Sequence, residues 1–173
     1  MDILMIILRI IHIFSGVFWL GVSFFNIGFL QPAVRATGAE GQKVMQHLTQ
    51  HTRMTAAVYT AATLSVLSGL IMYGIVSGGF QGRWITSPYG LAITIGGLAG
   101  LTAWVVVMFV VRGIFSQMQA IGHTIQAQGG PPTPEQVNAM QALGARLAKV
   151  GQYGVALMAV ALLGMSVAQY ISL

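Results

Sequence analysis

Four long runs of apolar residues, separated by polar stretches, make up most of the chain. The runs cover roughly residues 3–31, 55–78, 89–111 and 150–172. An α-helix rises ~1.5 Å per residue, so about 20 residues cross a hydrocarbon core of ~30 Å, and every run reaches that length. The pattern therefore predicts an all-α fold, a bundle of four transmembrane helices that forms a single domain over residues 1–173.

Helical signals continue beyond three of these runs. Thr133-Pro134-Glu135-Gln136 has an N-cap threonine, a proline at the first helical position and a carboxylate in the first turn, so helix four is expected to begin there. Helix three is expected to run from residue 89 to about 127, before the Gly-Gly-Pro-Pro sequence, and residues 41–53 are expected to extend helix two. Gln31-Pro32 predicts the end of helix one, because proline breaks a helix.

The composition agrees with a membrane protein. Hydrophobic residues make up 55% of the chain and charged residues 6%, which excludes a water-soluble domain. The first run is too long for a signal peptide and has no Ala-x-Ala cleavage site, so we expect it to remain as a span. The chain has no cysteine, which excludes disulfides, thiolate metal sites and cysteine-held iron–sulfur clusters. Any redox role must therefore use a bound cofactor.

Lysine and arginine predict the orientation, since short cytoplasmic loops carry an excess of both. The connection between runs two and three carries only Arg83. We therefore expect both termini outside and helices two to four extended on the cytoplasmic side, in a multi-pass protein of the bacterial inner membrane. The net charge of +5 follows from this bias, and no basic motif with stacking aromatics indicates a nucleic-acid partner. The basic residues assigned to the cytoplasm are Arg35, Lys43, Arg53, Arg112, Arg146 and Lys149.

A stripe of polar and small residues runs along the first apolar helix. At about 100° per residue its members share one arc of roughly 100°. Burying an arginine or histidine side chain within a membrane costs several kcal/mol of free energy, unless interactions with partners compensate for it. We therefore expect the stripe to face the inside of the bundle, where a partner or cofactor satisfies the imidazole. The stripe consists of Arg9, His12, Gly16, Trp19, Ser23 and Asn26.

This stripe suggests a b-type haem in the outer half of the membrane. His12 would be an axial ligand, and either Met72 or Met165 would be the second. Arg9 lies one turn nearer the outer surface, where it would pair with the haem propionates. Gly16 and Gly97 would make room for the ring. In the alternative interpretation, the imidazole hydrogen-bonds a backbone carbonyl or a serine and the guanidinium extends to the interface.

The three other histidines lie in the predicted cytoplasmic segments, and the gap between His12 and His51 is expected to be on the order of 25 Å at ~1.5 Å per residue. His47 and His51 are four residues apart on one helical face, a spacing at which two imidazoles can share a metal, and His123 is a candidate third ligand. The alternative is a solvated polar face, because glutamines surround these positions. The only acids in the chain are Asp2, Glu40 and Glu135, which excludes paired-carboxylate catalysis in the membrane.

Small residues also predict where helices approach one another. Gly96 and Gly100 form a GxxxG pair on helix three. Gly151, Gly154, Met158, Ala161 and Met165 line one face of helix four. Both faces are predicted to be sites of close contact between helices.

Ile11-His12 followed by Trp19-Leu20-Gly21 resembles the first span of CopD-like bacterial membrane proteins. It is also similar to the HemJ-type protoporphyrinogen oxidases, small four-helix membrane proteins with comparable histidine-to-tryptophan spacing. The likeness covers about 15 residues, and residues 66–70 resemble the second span more loosely. Val22 stands where CopD-like proteins often have a second glycine, and the lysine of HemJ-type active sites has no clear counterpart. The resemblance implies a haem-linked four-helix membrane bundle and does not specify a reaction.

Two main functions are compatible with these features. The first is a haem b protein that passes electrons between a quinone or porphyrin-type substrate and another carrier. The second is a non-catalytic accessory subunit that packs against a larger membrane complex. Copper handling is a further alternative, which rests on the resemblance and on the ten methionines.

Overall fold

The computed structural model describes residues 3–171, apart from the side chains of Ala39 and Gln50. Asp2 and the last residue of the predicted fourth run lie outside this range. The helices of the described residues are α1 (Ile3–Ala36), α2 (Gly38–Gln50), α3 (Met54–Val76), α4 (Gly82–Ile85), α5 (Pro88–Gln128) and α6 (Pro134–Ile171). Of these, α1, α3, α5 and α6 are long and apolar enough to cross a membrane.

The four long helices associate as two pairs. Helix α1 packs mainly along α3, and α5 packs mainly along α6, while fewer contacts join one pair to the other. Large apolar side chains cover the outside of the bundle, including Phe14, Phe109 and Leu163, each more than 60% exposed. Such a surface is stable in lipid and not in water. The chain is therefore an integral membrane protein with four spans, as the apolar runs predict.

The centre of the bundle is built from small side chains around one large one. Trp19 of α1 is 4% exposed and contacts a buried cluster formed with alanines from α3 and α5 and a methionine from α6. Helices in membranes associate by close packing, which small residues permit. The small alanine side chains let the helix backbones approach closely, and the indole ring fills the space that remains between them. The cluster consists of Trp19, Ala61, Ala62, Ala103 and Met158.

The contact between α5 and α6 is closest at glycines. A Cβ atom placed on Gly96 would lie 3.1 Å from the carbonyl oxygen of Ala161 and 3.3 Å from the backbone nitrogen of Met165. A Cβ atom on Gly164 would lie 3.0 Å from the carbonyl oxygen of Ala92. The predicted faces therefore meet where Gly96 and Gly100 approach Ala161 and Met165. The other two predicted glycines do not take part in this contact, because Gly151 packs against Ile27 of α1 and a Cβ atom on Gly154 would meet nothing within 4 Å.

The prediction that helix one ends at Gln31-Pro32 is wrong. The helix continues to Ala36, and a π-helical turn over Asn26–Leu30 lies just before Gln31-Pro32. Proline lacks an N–H group and its ring clashes with the carbonyl four residues earlier, so the wider turn relieves the conflict without ending the helix. The Gln31 side chain also donates a 3.0 Å hydrogen bond to Asn26 Oδ1.

The expected extension of helix two by residues 41–53 is also wrong in detail. This segment is largely a separate helix, α2, which ends at Gln50, and α3 begins at Met54. The Thr52 hydroxyl donates to the Leu48 carbonyl and accepts a 3.2 Å hydrogen bond from the backbone nitrogen of Met54. Hydrogen bonds between a threonine side chain and nearby backbone groups replace those of a continuous helix, so the helix is interrupted here.

The predicted long helices three and four are confirmed. Helix α5 ends at Gln128, followed by Gly129 in the left-handed conformation that commonly terminates helices. Helix α6 begins at Pro134, and Thr133 and Gln136 hydrogen-bond each other's backbone nitrogens through their side chains. This reciprocal arrangement is a capping box. At ~1.5 Å per residue both helices are longer than 50 Å, well beyond one bilayer.

Two side-chain hydrogen bonds join α3 to α5. Trp104 Nε1 donates to Thr63 Oγ1 at 3.2 Å, and the Tyr73 hydroxyl lies 2.7 Å from Thr94 Oγ1. Thr94 donates its own hydrogen to the Gly90 carbonyl, so Tyr73 donates to Thr94. These bonds connect the two helix pairs.

Replacing Tyr73 by phenylalanine should lower the free energy of unfolding in micelles by about 0.6 kcal/mol, the average for hydrogen bonds within membrane proteins. The double variant with Thr94→Val isolates the interaction between the two side chains. Denaturant titration followed by circular dichroism measures the four free energies. A coupling energy of zero would show that the contact contributes nothing to stability.

Candidate functional site

Two members of the polar stripe of α1, His12 and Gly16, lie against α3. The half-buried imidazole lies against Gly69. A Cβ atom placed on Gly69 would lie 2.9 Å from His12 Cε1 and 3.1 Å from His12 Nδ1. Only a glycine leaves room for the ring at this position. The stripe therefore points into the bundle at His12, Gly16 and Trp19, whereas Arg9 is exposed.

A hydrogen bond to the backbone of α3 fixes the orientation of the imidazole. His12 Nδ1 lies 2.7 Å from the carbonyl oxygen of Ser65. Because a carbonyl oxygen only accepts, Nδ1 carries the hydrogen, and in the neutral ring the lone pair is then on Nε2. Within residues 3–171, Nε2 takes part in no hydrogen bond. One ring nitrogen is therefore held by the protein and the other is available to a ligand.

Gly16 lies one turn along the same stripe and also serves the contact with α3. A Cβ atom placed on it would lie 3.1 Å from the Ser65 hydroxyl oxygen. That hydroxyl, in turn, is 3.4 Å from the His12 carbonyl oxygen. The space that the missing side chain of Gly16 leaves is therefore occupied by Ser65 of α3. Ser65 and Ser68 are both buried, so the interface of α1 and α3 contains a small polar cluster.

Trp19, two turns from His12 on the stripe, carries an unpaired donor. Its Nε1 atom is buried and has no hydrogen-bond partner, and it is the only such side-chain nitrogen or oxygen in the part of the chain that the structure describes. An unsatisfied buried donor costs about 1–3 kcal/mol. Most buried polar groups in proteins have a partner in the protein or in bound water, so this one calls for an explanation.

The remaining predicted haem contacts occupy different surroundings. Arg9 is exposed, and Met72 is half-buried on α3, three residues after Gly69. The side chain of Met165 packs against Gly96 in the contact of α5 with α6. Gly97 faces open space, since an added Cβ atom would meet nothing within 4 Å. His12 and Gly16 therefore share Ser65 as a neighbour, while Met165 belongs to the other helix pair.

The histidines predicted as metal ligands lie on two separate elements: His47 and His51 at the end of α2, and His123 near the end of α5. The rings of His47 and His51 stack on each other, with centroids 5.1 Å apart and planes 8° from parallel, and both residues are exposed. No three His, Asp or Glu side chains within the described range are grouped closely enough to hold a metal ion. The structure therefore does not bring His123 to the other two.

The bond from His12 to a backbone carbonyl is the one that the alternative interpretation of the stripe predicts. The sequence did not identify Ser65 and Gly69 as the residues that His12 contacts. Ser65 and Gly69, four residues apart on one face of an apolar helix, are the available signal, because polar and small residues at that spacing mark a helix contact in a membrane. Met72, which the sequence offered as a second ligand on the same helix, lies three residues beyond Gly69. The hydrogen bond itself uses a backbone carbonyl, which every residue has.

No known protein family, curated protein or solved structure matches the chain.

Proposed function

We propose that the protein is a haem b-binding protein of a bacterial inner membrane with a role in electron transfer, and that His12 is an axial ligand of the haem. The observation that carries the proposal is the hydrogen bond from His12 Nδ1 to the Ser65 carbonyl oxygen. Histidines that bind metals almost always donate their other ring N–H to a carboxylate, a carbonyl or water. This hydrogen bond fixes both the tautomer and the ring orientation.

The residues around the imidazole fit this role. Gly69 admits the ring, and the Ser65 carbonyl holds it, so the ligand would be in position before the cofactor binds. Met72 is the better candidate for a second ligand, because it lies on the helix that His12 contacts, whereas Met165 packs on Gly96. When bound, a haem supplies one-electron redox chemistry, which the side chains of this chain lack.

Two further groups support a bound cofactor. Arg9 is exposed one turn from His12, and no carboxylate within the described residues pairs with it, so its guanidinium is available to a propionate. The buried Trp19 Nε1 donor would gain a partner if an oxygen of the cofactor or of a quinone substrate reached it. Quinone and haem are both apolar molecules with peripheral oxygens, which suits this mostly apolar bundle.

The accessory-subunit alternative gains nothing from the GxxxG pair of Gly96 and Gly100, because α6 of the same chain occupies that face. Copper binding is distinguished from haem by the experiment below.

The test is to express the protein with haem supplied, purify it in detergent, and record its absorption spectrum and metal content. We expect a Soret band, about one haem per chain by the pyridine haemochrome assay, and no stoichiometric copper. A protein without haem absorbance after haem-replete expression would exclude the proposed function. Stoichiometric copper without haem would favour copper handling instead.

We further propose that the loops on either side of α5 lie on opposite sides of the membrane, with residues 129–133 in the cytoplasm. The chain has no cysteine, so single cysteines report location directly. Gly82 and Gly130 are exposed and have room for a side chain. A membrane-impermeant maleimide should label Gly82→Cys in intact cells and label Gly130→Cys only after permeabilisation. The reverse pattern would contradict the orientation that the lysines and arginines predict.

A further inference from the structure

A groove runs along the outside of the bundle between α1 and α3. It has a volume of about 440 Å³ and is lined almost entirely by apolar surface. Alanines and a threonine of α3 form its floor, and larger side chains flank it. Among the lining residues are Phe18, Arg53, Ala56, Ala57, Thr60 and Leu64.

The groove is short enough to lie within one leaflet of a bilayer. Its α3 residues extend from Ala56 to Leu64, and Arg53 lies beyond the Ala56 end. Eight residues of helix at ~1.5 Å each span about 12 Å, and half of a ~30 Å hydrocarbon core is about 15 Å. A transmembrane partner helix would need a surface more than twice as long. The groove therefore fits a molecule confined to one leaflet.

A positive charge lies at one end of this apolar surface. Arg53 is exposed and directly precedes α3. The one ion pair among the described residues joins Lys43 to Glu40, so no carboxylate there neutralises Arg53. A guanidinium is a planar group of donors that suits the oxygens of a phosphate. The groove is thus apolar along its length and complementary to an anion at its end.

We propose that this groove binds one anionic phospholipid, with the phosphate on Arg53 and an acyl chain along the alanines of α3 between Phe18 and Leu64. Basic pockets between transmembrane helices are known to bind anionic lipid head groups. The proposal depends on the membrane character of the protein and is independent of haem binding. It makes Arg53 a lipid-recognition residue, distinct from the other exposed arginines.

The test is native mass spectrometry of the purified protein titrated with phosphatidylglycerol or with phosphatidylcholine of identical acyl chains. We expect phosphatidylglycerol to bind at least threefold more tightly. Arg53→Gln should remove this preference, and Arg35→Gln, which changes an exposed arginine near the end of α1, should retain it. Ala57→Phe, which fills the groove, should weaken binding of both lipids.

Circular dichroism and size-exclusion profiles establish that each variant is folded, and Arg53→Lys, which keeps the charge, provides a conservative comparison. Glycerol 3-phosphate, which has the anionic group without acyl chains, should fail to displace the lipid. The proposal is overturned if the wild-type protein shows no preference, if Arg53→Gln keeps the preference, or if Ala57→Phe binds both lipids normally. Displacement by glycerol 3-phosphate at equal concentration would also overturn it, because the groove would then contribute nothing.

Discussion

Replacing His12 by alanine is expected to abolish the Soret band of the protein expressed with haem. The substitution removes the Nε2 lone pair that would bind the iron and also the hydrogen bond to the Ser65 carbonyl. His51→Ala is the matched control, because His51 is exposed at the end of α2 and should leave the spectrum unchanged. Absorption spectra and haem-to-protein ratios of the purified variants measure the outcome.

A structural role for His12 predicts a different result, and two variants separate the two roles. Glutamine can still donate to the Ser65 carbonyl, but its amide is a poor ligand for haem iron. His12→Gln should therefore remain folded and lose the haem. Adding free imidazole to His12→Gly should restore part of the Soret band, since the glycine leaves space for an exogenous ligand. A Soret band that persists in both His12→Ala and His12→Gln would show that the haem is held elsewhere.

The sequence was sufficient to predict the spans and most of the helix boundaries. Apolar length alone predicts four crossings, because a membrane requires about 20 residues of helix whatever the fold. The start of α6 was predictable because the capping box of Thr133 and Gln136 is a local signal. The continuation of α1 through Pro32 was not predictable from the sequence. A π-helical turn can accommodate a proline, whose missing N–H group normally ends a helix.

The sequence predicts the position of His12 in the candidate site but not the residues that His12 contacts. Periodicity places His12 on the inward face of α1, because a polar stripe in a membrane must avoid lipid. Which helix receives the stripe depends on how the four spans pair, and no local pattern determines that. The accepting atom is the backbone carbonyl of Ser65, which leaves no trace in the sequence. The unpaired Trp19 donor becomes apparent only once the burial of its side chain is known.

Replacing Gly96 by leucine is expected to separate α5 from α6 and to lower the free energy of unfolding by about 1–3 kcal/mol or more, the usual cost of overpacking. The first added carbon would lie 3.1 Å from the Ala161 carbonyl oxygen, and the rest of the side chain would need space that α6 occupies. These neighbours include backbone atoms, which cannot move without shifting the whole helix. Denaturant titration in micelles, followed by circular dichroism, measures the change.

Gly97→Leu is the control for this prediction, because it makes the same change one residue along the same helix. A Cβ atom there meets nothing within 4 Å, and leucine favours helix over glycine by up to about 1 kcal/mol, so this variant should be as stable as wild type or slightly more stable. Gly164→Leu approaches the same contact from α6, 3.0 Å from the Ala92 carbonyl oxygen, and should be destabilised like Gly96→Leu. Equal stability of the Gly96 and Gly97 variants would mean that the two helices do not meet at Gly96. The helix pairing that leaves His12 facing α3 would then need revision, since α5 and α6 form the other half of the bundle.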